Sequence, residues 1–372
     1  MFSGSRSLVS ATDSTRIPSL DGLRAISISM VLLAHGFSSM RPDWPRPWPV
    51  LRDFLANGDR GVSVFFVISG FLITSLLLRE EAKTGSISLR NFYLRRLFRI
   101  VPPFYVFLSC VLLLRIAGFL TLTPWNFLSS MFFVKDYMVG DWWTGHSWSL
   151  SIEEQFYLLW PTALVVLGRK KAKRVALAIV VAAPVIRLVS HAFLHHLGPA
   201  EQCMFHVRMD GLMLGCLVAL YEGTALLEKI TAVSGRLAMA GIAFLALGAP
   251  YFFQRFHGWY TMPFGYSIEY CVIVVVLLYV VKSPHPWIGG VLNHRWVVHV
   301  GIISYSLYLW QELFLTPLNH TWTGLVPLSF LCCFAAAELS WRLVERPALR
   351  LRARCERQPK SRQEVEALCV VS

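Results

Sequence analysis

Two ionisable side chains lie in the first apolar segment of the chain, residues 19–37. Arg24 and His35 are eleven residues apart, close to three helical turns, so both would lie on one helix face about 16 Å apart. Asp21 falls within a third of a turn of that face. Ionisable groups at membrane depth are costly and usually mark a pathway or a site. The structural alternative is an arginine anchored at lipid headgroups and a histidine hydrogen-bonded to a neighbouring helix.

Further candidate acid and base groups lie near the starts of two later apolar segments. Glu153 and Glu154 follow the predicted start of one helix, and Arg208 and Asp210 open another. If His35 lies toward the outer surface, the two glutamates are expected roughly 10 Å below the outer end of their helix, at a similar depth. A carboxylate near a histidine can orient it and keep it basic, as a general base requires. The two glutamates could instead cap their helix or satisfy a neighbouring group, and Arg208 and Asp210 could form a buried ion pair that fixes helix register.

Arginines are concentrated at the opposite level. Arg95, Arg96 and Arg99 follow the second apolar segment, and Arg24 is expected near the same membrane surface. Guanidinium groups bind phosphates through paired hydrogen bonds. The pattern therefore predicts an acid/base centre joined along one helix to an anion site, which suits group transfer from a phosphorylated donor. It would also suit a proton-coupled transporter, and the arginines could serve only as a headgroup anchor.

The composition indicates a membrane protein. Of its 372 residues, 55% are hydrophobic and 15% charged, and the mean hydropathy is +0.52. Apolar runs of about 20 residues recur along the chain, as in multi-span helical proteins. The basic residues behind the net charge of +13 lie mostly in short loops, where they set topology and meet anionic headgroups, so no nucleic-acid partner is expected. The eight cysteines show no CxxC pairing, and no metal site is expected.

We predict an all-α, polytopic integral membrane protein of about ten transmembrane helices, with both termini in the cytoplasm because most basic loops then lie inside. Residues 122–146 are expected to form an interfacial or re-entrant segment. The predicted domains are a cytoplasmic N-terminal tail (1–18), a transmembrane domain (19–347) and a basic cytoplasmic tail (348–372). The predicted spans are approximately residues 19–40, 61–79, 102–121, 147–168, 175–196, 205–222, 235–254, 264–281, 296–317 and 324–344.

Several motifs along residues 17–347 occur in the order of a known family. Together they resemble the membrane-bound acyltransferase family 3, the bacterial O-acyltransferases of surface polysaccharides, exopolysaccharides, nodulation factors and some macrolides. The motifs are residues 21–35 (DGLRAISISMVLLAH), 61–74 (GVSVFFVISGFLIT), 92–103 (FYLRRLFRIVPP), 146–161 (HSWSLSIEEQFYLLWP), 208–215 (RMDGLMLG), 304–310 (SYSLYLW) and 345–347 (ERP).

The resemblance implies an all-helical membrane enzyme that uses an acyl-CoA, typically acetyl-CoA, from the cytoplasm. It also implies that Arg24 and His35 are essential and that Glu153, Glu154 and the arginines after the second span support them. Many members have a histidine after the Tyr-Leu-Trp of the ninth span. This chain has Gln311 there, so we assign that position no acid/base work.

Some members of the family carry an extracytoplasmic SGNH-type domain, which these 372 residues do not include. We therefore expect the chain to complete the transfer itself or to hand the acyl group to a separate periplasmic or polymerase partner.

The resulting hypothesis is an acyl-CoA-dependent O-acyltransferase of the bacterial inner membrane, acting on a carbohydrate hydroxyl. The cytoplasmic arginines would bind the phosphates of CoA, His35 would take the proton of the acceptor hydroxyl, and Glu153 or Glu154 would orient His35. An acyl-histidine intermediate is an open alternative. The runner-up class is a transporter or flippase for a sugar or lipid-linked sugar that uses the same charges without acyl transfer. Residues expected to bind substrate or support the site are Asp21, His146, Ser149, Tyr157, Arg208, Asp210, Tyr308 and Gln311.

Overall fold

The computed structural model describes residue 17 and residues 19–39, 58–138, 140–282, 285–318 and 325–356, and the regular elements among them are all helical. The prediction of an all-α protein is therefore confirmed. Most of the predicted N-terminal tail, and the predicted tail beyond residue 356, lie outside the described residues. The helices are α1 Leu20–Ser38, α2 Gly58–Thr84, α3 Leu89–Ile116, α4 Pro124–Met131, α5 Ser147–Leu194, α6 Phe205–Leu220, α7 Ala225–Ala243, α8 Ala249–Arg255, α9 Tyr266–Lys282, α10 Pro286–Leu292, α11 Arg295–Ile302, α12 Ser304–Phe314, α13 Leu328–Ser340 and α14 Arg346–Glu356.

Seven helical segments of the described chain are long and apolar enough to cross a bilayer. Helix α5 has 48 residues, about 72 Å, which is more than twice the hydrocarbon thickness of roughly 30 Å. Gly168 interrupts it with φ 71° and ψ 164°, at the end of the fourth predicted span. The predicted ninth span is divided into α11 and α12, of 8 and 11 residues, so neither part alone has the length of a span. Helix length therefore establishes a multi-pass protein but not the predicted count of ten.

The third predicted span begins earlier than expected. The predicted span starts at residue 102, whereas Pro102 and Pro103 both lie inside α3, which starts at Leu89. Helix α3 begins after Ser88, whose side chain accepts a hydrogen bond from the backbone N–H of Asn91. The helix continues through the prolines. The three arginines at 95, 96 and 99 therefore lie on the same continuous helix as the apolar part of α3.

Helix α1 is held by close contact with α2 and also packs against α11 and α12. The hydroxyl of Ser27 donates a hydrogen bond of 2.6 Å to the carbonyl oxygen of Gly61. A Cβ atom at Gly61 would overlap the carbonyl oxygen of Ser27, so only glycine permits this approach. These contacts fix the helix of Arg24 and His35 against its neighbours.

Helices α2 and α6 meet through two glycines. A Cβ atom at Gly70 would overlap the carbonyl oxygen of Leu212, and one at Gly215 would overlap the carbonyl oxygen of Val67. Small residues allow helix backbones to approach closely inside a membrane, where van der Waals packing drives helix association. The α2–α6 interface thus depends on the absence of side chains at these positions.

Replacing Gly70 by alanine should force α2 and α6 apart, because the added methyl group meets backbone atoms that have no rotamer through which to move. We expect a loss of about 1–3 kcal/mol of stability, measured as a lower Tm and a lower yield of monodisperse protein in detergent. Gly290→Ala is the matched control, since a Cβ atom there meets nothing within 4 Å. Equal Tm values for the two variants would contradict this account of the interface.

Candidate active site

His35 lies in a cluster of four polar side chains, which we call the histidine cluster: His35, His146, Gln311 and Glu312. Nδ1 of His35 is 2.9 Å from the amide oxygen of Gln311, and Nε2 is 3.7 Å from one carboxylate oxygen of Glu312. The other oxygen of Glu312 is 2.6 Å from Nδ1 of His146. A single carboxylate therefore lies between two imidazole rings. The indole of Trp142 meets the ring of His35 edge-on at 5.7 Å.

The cluster has the arrangement of a general base. Glu312 is only 5% exposed and His146 only 3%, so the carboxylate is shielded and its interactions with the imidazoles are strong. The amide oxygen of Gln311 accepts a hydrogen bond from the N–H at Nδ1 of His35, which leaves the lone pair of that ring on Nε2. A proton taken up at Nε2 would create a cation 3.7 Å from Glu312, where the carboxylate stabilises it. The side chain of His35 is 27% exposed and can meet a reactant.

Our expectation that Glu153 or Glu154 lies beside His35 is wrong. Glu153 accepts a hydrogen bond of 2.6 Å from the hydroxyl of Ser69 and lines a cavity near the Arg24 end of α1. Glu154 has its electrostatic interactions with Arg96 and Glu153, in the same region. Whether either glutamate takes part in catalysis stays a prediction.

The error comes from the position of the start of α5. We placed that start at the membrane surface, whereas His146, the residue just before it, is buried in the histidine cluster. Glu153 is seven residues further on, about 10 Å along the helix axis toward the Arg24 end of α1. The carboxylate that does lie beside His35 is Glu312, to which our sequence reasoning gave no role. The sequence signal for Glu312 is that it is an acidic residue inside the apolar ninth predicted span.

A cavity of about 200 Å³ lies near the Arg24 end of α1. Its wall combines aromatic and aliphatic side chains with a single carboxylate among its lining residues, that of Glu153. Sites for drug-sized ligands occupy roughly 300–1,000 Å³, so this space suits a narrow extended chain rather than a whole nucleotide. The arginines that line it are Arg24, Arg95, Arg96, Arg99 and Arg352. The structure thus brings together the four arginines singled out in the sequence and adds a fifth.

Local contacts hold these arginines in place. Arg95 forms an ion pair of 2.6 Å with Glu80, and Nη1 of Arg24 lies 3.9 Å from Asp21, one turn earlier on α1. The guanidinium group of Arg96 lies over the ring of Tyr157, 4.6 Å from its centroid. Carboxylates near these arginines offset part of the positive charge, and a lining in which arginines outnumber carboxylates favours an anion.

The cavity does not reach the histidine cluster, because hydrogen-bonded side chains lie between the two. Its lining includes Ser149 and Tyr308, whose hydroxyl oxygens are 2.6 Å apart, but neither His35 nor Glu312. The hydroxyl of Tyr308 also donates a bond of 2.9 Å to the carbonyl oxygen of His146. We call Ser149, Tyr308 and this carbonyl group the tyrosine layer. It separates the basic cavity from the candidate base.

Arg208 and Asp210 do not pair with each other, so the alternative of a local ion pair between them is wrong. Arg208 bonds both carboxylate oxygens of Asp59, at 3.0 and 3.3 Å, and the hydroxyl of Tyr270 at 2.8 Å. Asp210 pairs with Arg187 of α5. Neither residue lines the cavity or belongs to the histidine cluster, so the structure does not bring these two predicted supporting residues to the site.

The segment between α3 and α5, predicted to be interfacial or re-entrant, folds into short helices and turns that attach to α5 and α6. Asp136 is fully buried and accepts hydrogen bonds from Nε2 of Gln155 at 2.9 Å and from the backbone N–H of Phe205 at 3.3 Å. Burial raises the pKa of Asp136 from 3.8 to about 6. The segment carries Trp142 and His146 to the histidine cluster, so its attachment by Asp136 supports the site.

Because of Asp136, the free energy of unfolding should fall as the pH rises from about 4 to 6. Within that window the folded protein keeps a proton on Asp136 that the unfolded chain has lost, so raising the pH removes a stabilising proton. The shift corresponds to about 3 kcal/mol at most. Asp136→Asn should flatten this part of the curve of Tm against pH in detergent, whereas Glu228→Gln, at an exposed position, should leave it unchanged. An unaltered slope in Asp136→Asn would contradict the assignment.

The fold and the site together define a multi-pass helical membrane protein with a histidine–carboxylate centre beside a basic cavity. A family model described as an acyltransferase domain matches residues 17–340. The chain therefore belongs to the membrane-bound acyltransferase family 3, which confirms the resemblance seen in its motifs.

Curated relatives include two proteins named O-acetyltransferase. The O-acetyltransferase OatA of Staphylococcus aureus (strain NCTC 8325 / PS 47) is 29% identical over 361 residues, covering 89% of this chain and 57% of the relative. The peptidoglycan O-acetyltransferase OatA of Listeria monocytogenes is 25% identical over 365 residues, covering 89% of this chain and 55% of the relative. The chain thus spans little more than half the length of the curated relatives it matches. No solved structure matches it.

Proposed function

We propose that this protein is an O-acetyltransferase of the bacterial inner membrane that moves an acetyl group from acetyl-CoA to a carbohydrate hydroxyl. The observation that carries the proposal is the arrangement along α1, with a basic cavity at the Arg24 end and a histidine–carboxylate base at the His35 end. The relatives support the acetyl group, and one that is named for peptidoglycan supports a carbohydrate acceptor.

The proposed topology has ten spans and a cytoplasmic N-terminus. The two parts of α5 on either side of Gly168 each have the length of a span, and α11 with α12 form another. This orientation follows the excess of basic residues in the predicted inner loops. It turns the basic cavity toward the cytoplasm, where acyl-CoA is made, and His35 toward the outside, where envelope glycans lie.

The basic cavity fits a donor that has phosphate groups at one end and a narrow arm at the other. Arginines bind phosphate oxygens through paired charge-assisted hydrogen bonds, and the cavity lining has more arginines than carboxylates. Acetyl-CoA, when bound, supplies an acetyl group activated as a thioester. The arginines would hold its phosphates at the cytoplasmic mouth, and the apolar wall would hold the arm that points toward the tyrosine layer.

The histidine cluster would perform the proton transfers. Nε2 of His35 takes the proton from the acceptor hydroxyl as the new carbon–oxygen bond forms and the carbon–sulfur bond breaks. Glu312 stabilises the resulting imidazolium at 3.7 Å, and Gln311 holds Nδ1. The proton then passes from His35 to the departing sulfur, so that the base is restored. Glu312 takes the orienting role for which we had proposed Glu153 or Glu154.

Substitutions of His35 and Arg24 should change different kinetic constants of the reconstituted protein. His35→Ala should lower kcat by at least 10²-fold, because general-base catalysis typically contributes about 10²–10⁴-fold. Arg24→Ala should mainly raise the KM for acetyl-CoA, because its contact with the donor is made before the chemical step. Transfer of labelled acetyl groups in proteoliposomes measures both. Wild-type transfer by His35→Ala, or an equal rise of KM with unchanged kcat in both variants, would refute the division of roles.

Glu312 and Glu153 provide a second contrast. Glu312→Gln keeps the shape but loses the charge beside His35, so kcat should fall about 10–100-fold, with partial recovery in Glu312→Asp. Glu153 lies among the arginines of the cavity, so Glu153→Gln should change mainly the KM for the donor. Normal kcat in Glu312→Gln together with lost kcat in Glu153→Gln would return the orienting role to Glu153.

A transporter or flippase is separated from an acetyltransferase by the fate of the label. Vesicles containing the protein are supplied with labelled acetyl-CoA on the cytoplasmic side and with an acceptor glycan on the other. Covalent label on the glycan supports the proposal. Movement of the sugar without label would support transport instead.

A further inference from the structure

The last described helix, α14, reaches the basic cavity. It lies beyond residue 340, where the match to the family model ends, so that match does not account for its role. Arg352 of this helix lines the cavity together with the arginines of α1 and α3. In the sequence analysis the first two residues of α14 belong to the motif at 345–347 and the rest to the basic tail.

The position of α14 is set by contacts inside the protein. The helix packs against α3, which carries three of the other arginines. The turn Trp341–Glu345 leads into α14, and its last residue, Glu345, is buried and accepts a hydrogen bond of 3.2 Å from Ser306 of α12. Glu345 also interacts electrostatically with Arg99 and Arg24. The start of α14 is therefore tied to α12, α3 and α1, and Arg352 is placed at the cavity by the fold.

The charge of the lining indicates what Arg352 binds. Each of the other four arginines interacts with at least one acid outside or inside the lining, and these acids are Asp21, Glu80, Glu153, Glu154 and Glu345. Among the residues that line the cavity itself, Glu153 is the one acid. A fifth guanidinium group adds to a lining in which arginines already outnumber carboxylates. Such a surplus is favourable when the ligand is polyanionic, and a guanidinium fork matches the oxygens of a phosphate group.

We propose that Arg352 is a donor-binding residue that contacts a phosphate group of the acyl-CoA, and that α14 forms one wall of the donor site. This inference rests on the function proposed above. It gives the basic tail a role in recognising the nucleotide end of the donor rather than in anchoring the protein to lipid headgroups.

The test compares two arginines of α14 and two donors. Arg352→Gln removes the residue at the cavity, and Arg350→Gln removes an exposed arginine that does not line it. The donors are acetyl-CoA and S-acetylpantetheine, which carries the thioester arm without any phosphate. Arg352→Gln should raise the KM for acetyl-CoA about ten-fold with unchanged kcat, as for loss of one charge-assisted contact. It should match wild type with S-acetylpantetheine, and Arg350→Gln should match wild type with both.

Three outcomes would overturn the inference. These are an unchanged KM for acetyl-CoA, an equal rise with both donors, which indicates a distorted cavity, and an equal rise in Arg350→Gln, which indicates a general effect of surface charge. Equilibrium binding of labelled CoA separates this inference from the proposed function. Equal CoA binding by wild type and Arg352→Gln during normal transfer overturns the inference alone. Binding that depends on Arg352, without acetyl transfer by wild type, overturns the proposed reaction alone.

Discussion

A charged side chain inside an apolar helical bundle requires a partner of opposite charge, because the surroundings contain no water to solvate it. In the described part of the chain, three ion pairs that each have at least one buried member meet this requirement by joining two helices. They connect α2 to α6, α5 to α6 and α2 to α9. The framework against which α1 packs is thus held by the pairs Asp59–Arg208, Arg187–Asp210 and Arg60–Glu269. Because each member lies on a different helix from its partner, these charges fix how the helices are arranged.

The basic cavity is built differently. Its lining contains five arginines and one carboxylate, so the wall does not balance its own charge. Nearby acids such as Glu80 and Glu345, which do not line the cavity, reduce this excess. A site of this kind gains most when an anion from outside completes it. The contrast with the paired framework separates residues that join the helices from residues that line the cavity.

The sequence was sufficient for properties that depend on spacing along one helix. The all-α class follows from recurrent apolar runs, and the placement of Arg24 and His35 at two ends of one helix follows from their separation of eleven residues. The depth of Glu153 could not be obtained in this way, since it depends on how far α5 is shifted along its axis relative to α1. Ion-pair partners raise the same difficulty. Asp59 lies 149 residues before Arg208, and only the packing of α2 on α6 brings them together.

Glu312 shows a second limit of sequence reasoning. Comparison with the family directed attention to position 311, where glutamine replaces a histidine common in other members, and the neighbouring acid received no role. In the structure these two side chains act together, because the amide holds one nitrogen of His35 and the carboxylate faces the other. A substitution at one position is therefore best understood with the residue beside it.

The tyrosine layer bears on the energy stored across the membrane. A membrane protein with a basic cavity near one end of a helix and a histidine cluster near the other must not conduct protons across the membrane. Each unit charge that crosses dissipates about 2.3 kcal/mol per 100 mV of membrane potential. Ser149 and Tyr308 lie between the cavity and the histidine cluster, and their hydroxyl groups are bonded to each other, with oxygens 2.6 Å apart, and to the backbone carbonyl group of His146. The layer thus places two uncharged side chains, rather than an ionised pair, between the basic cavity and the histidine cluster.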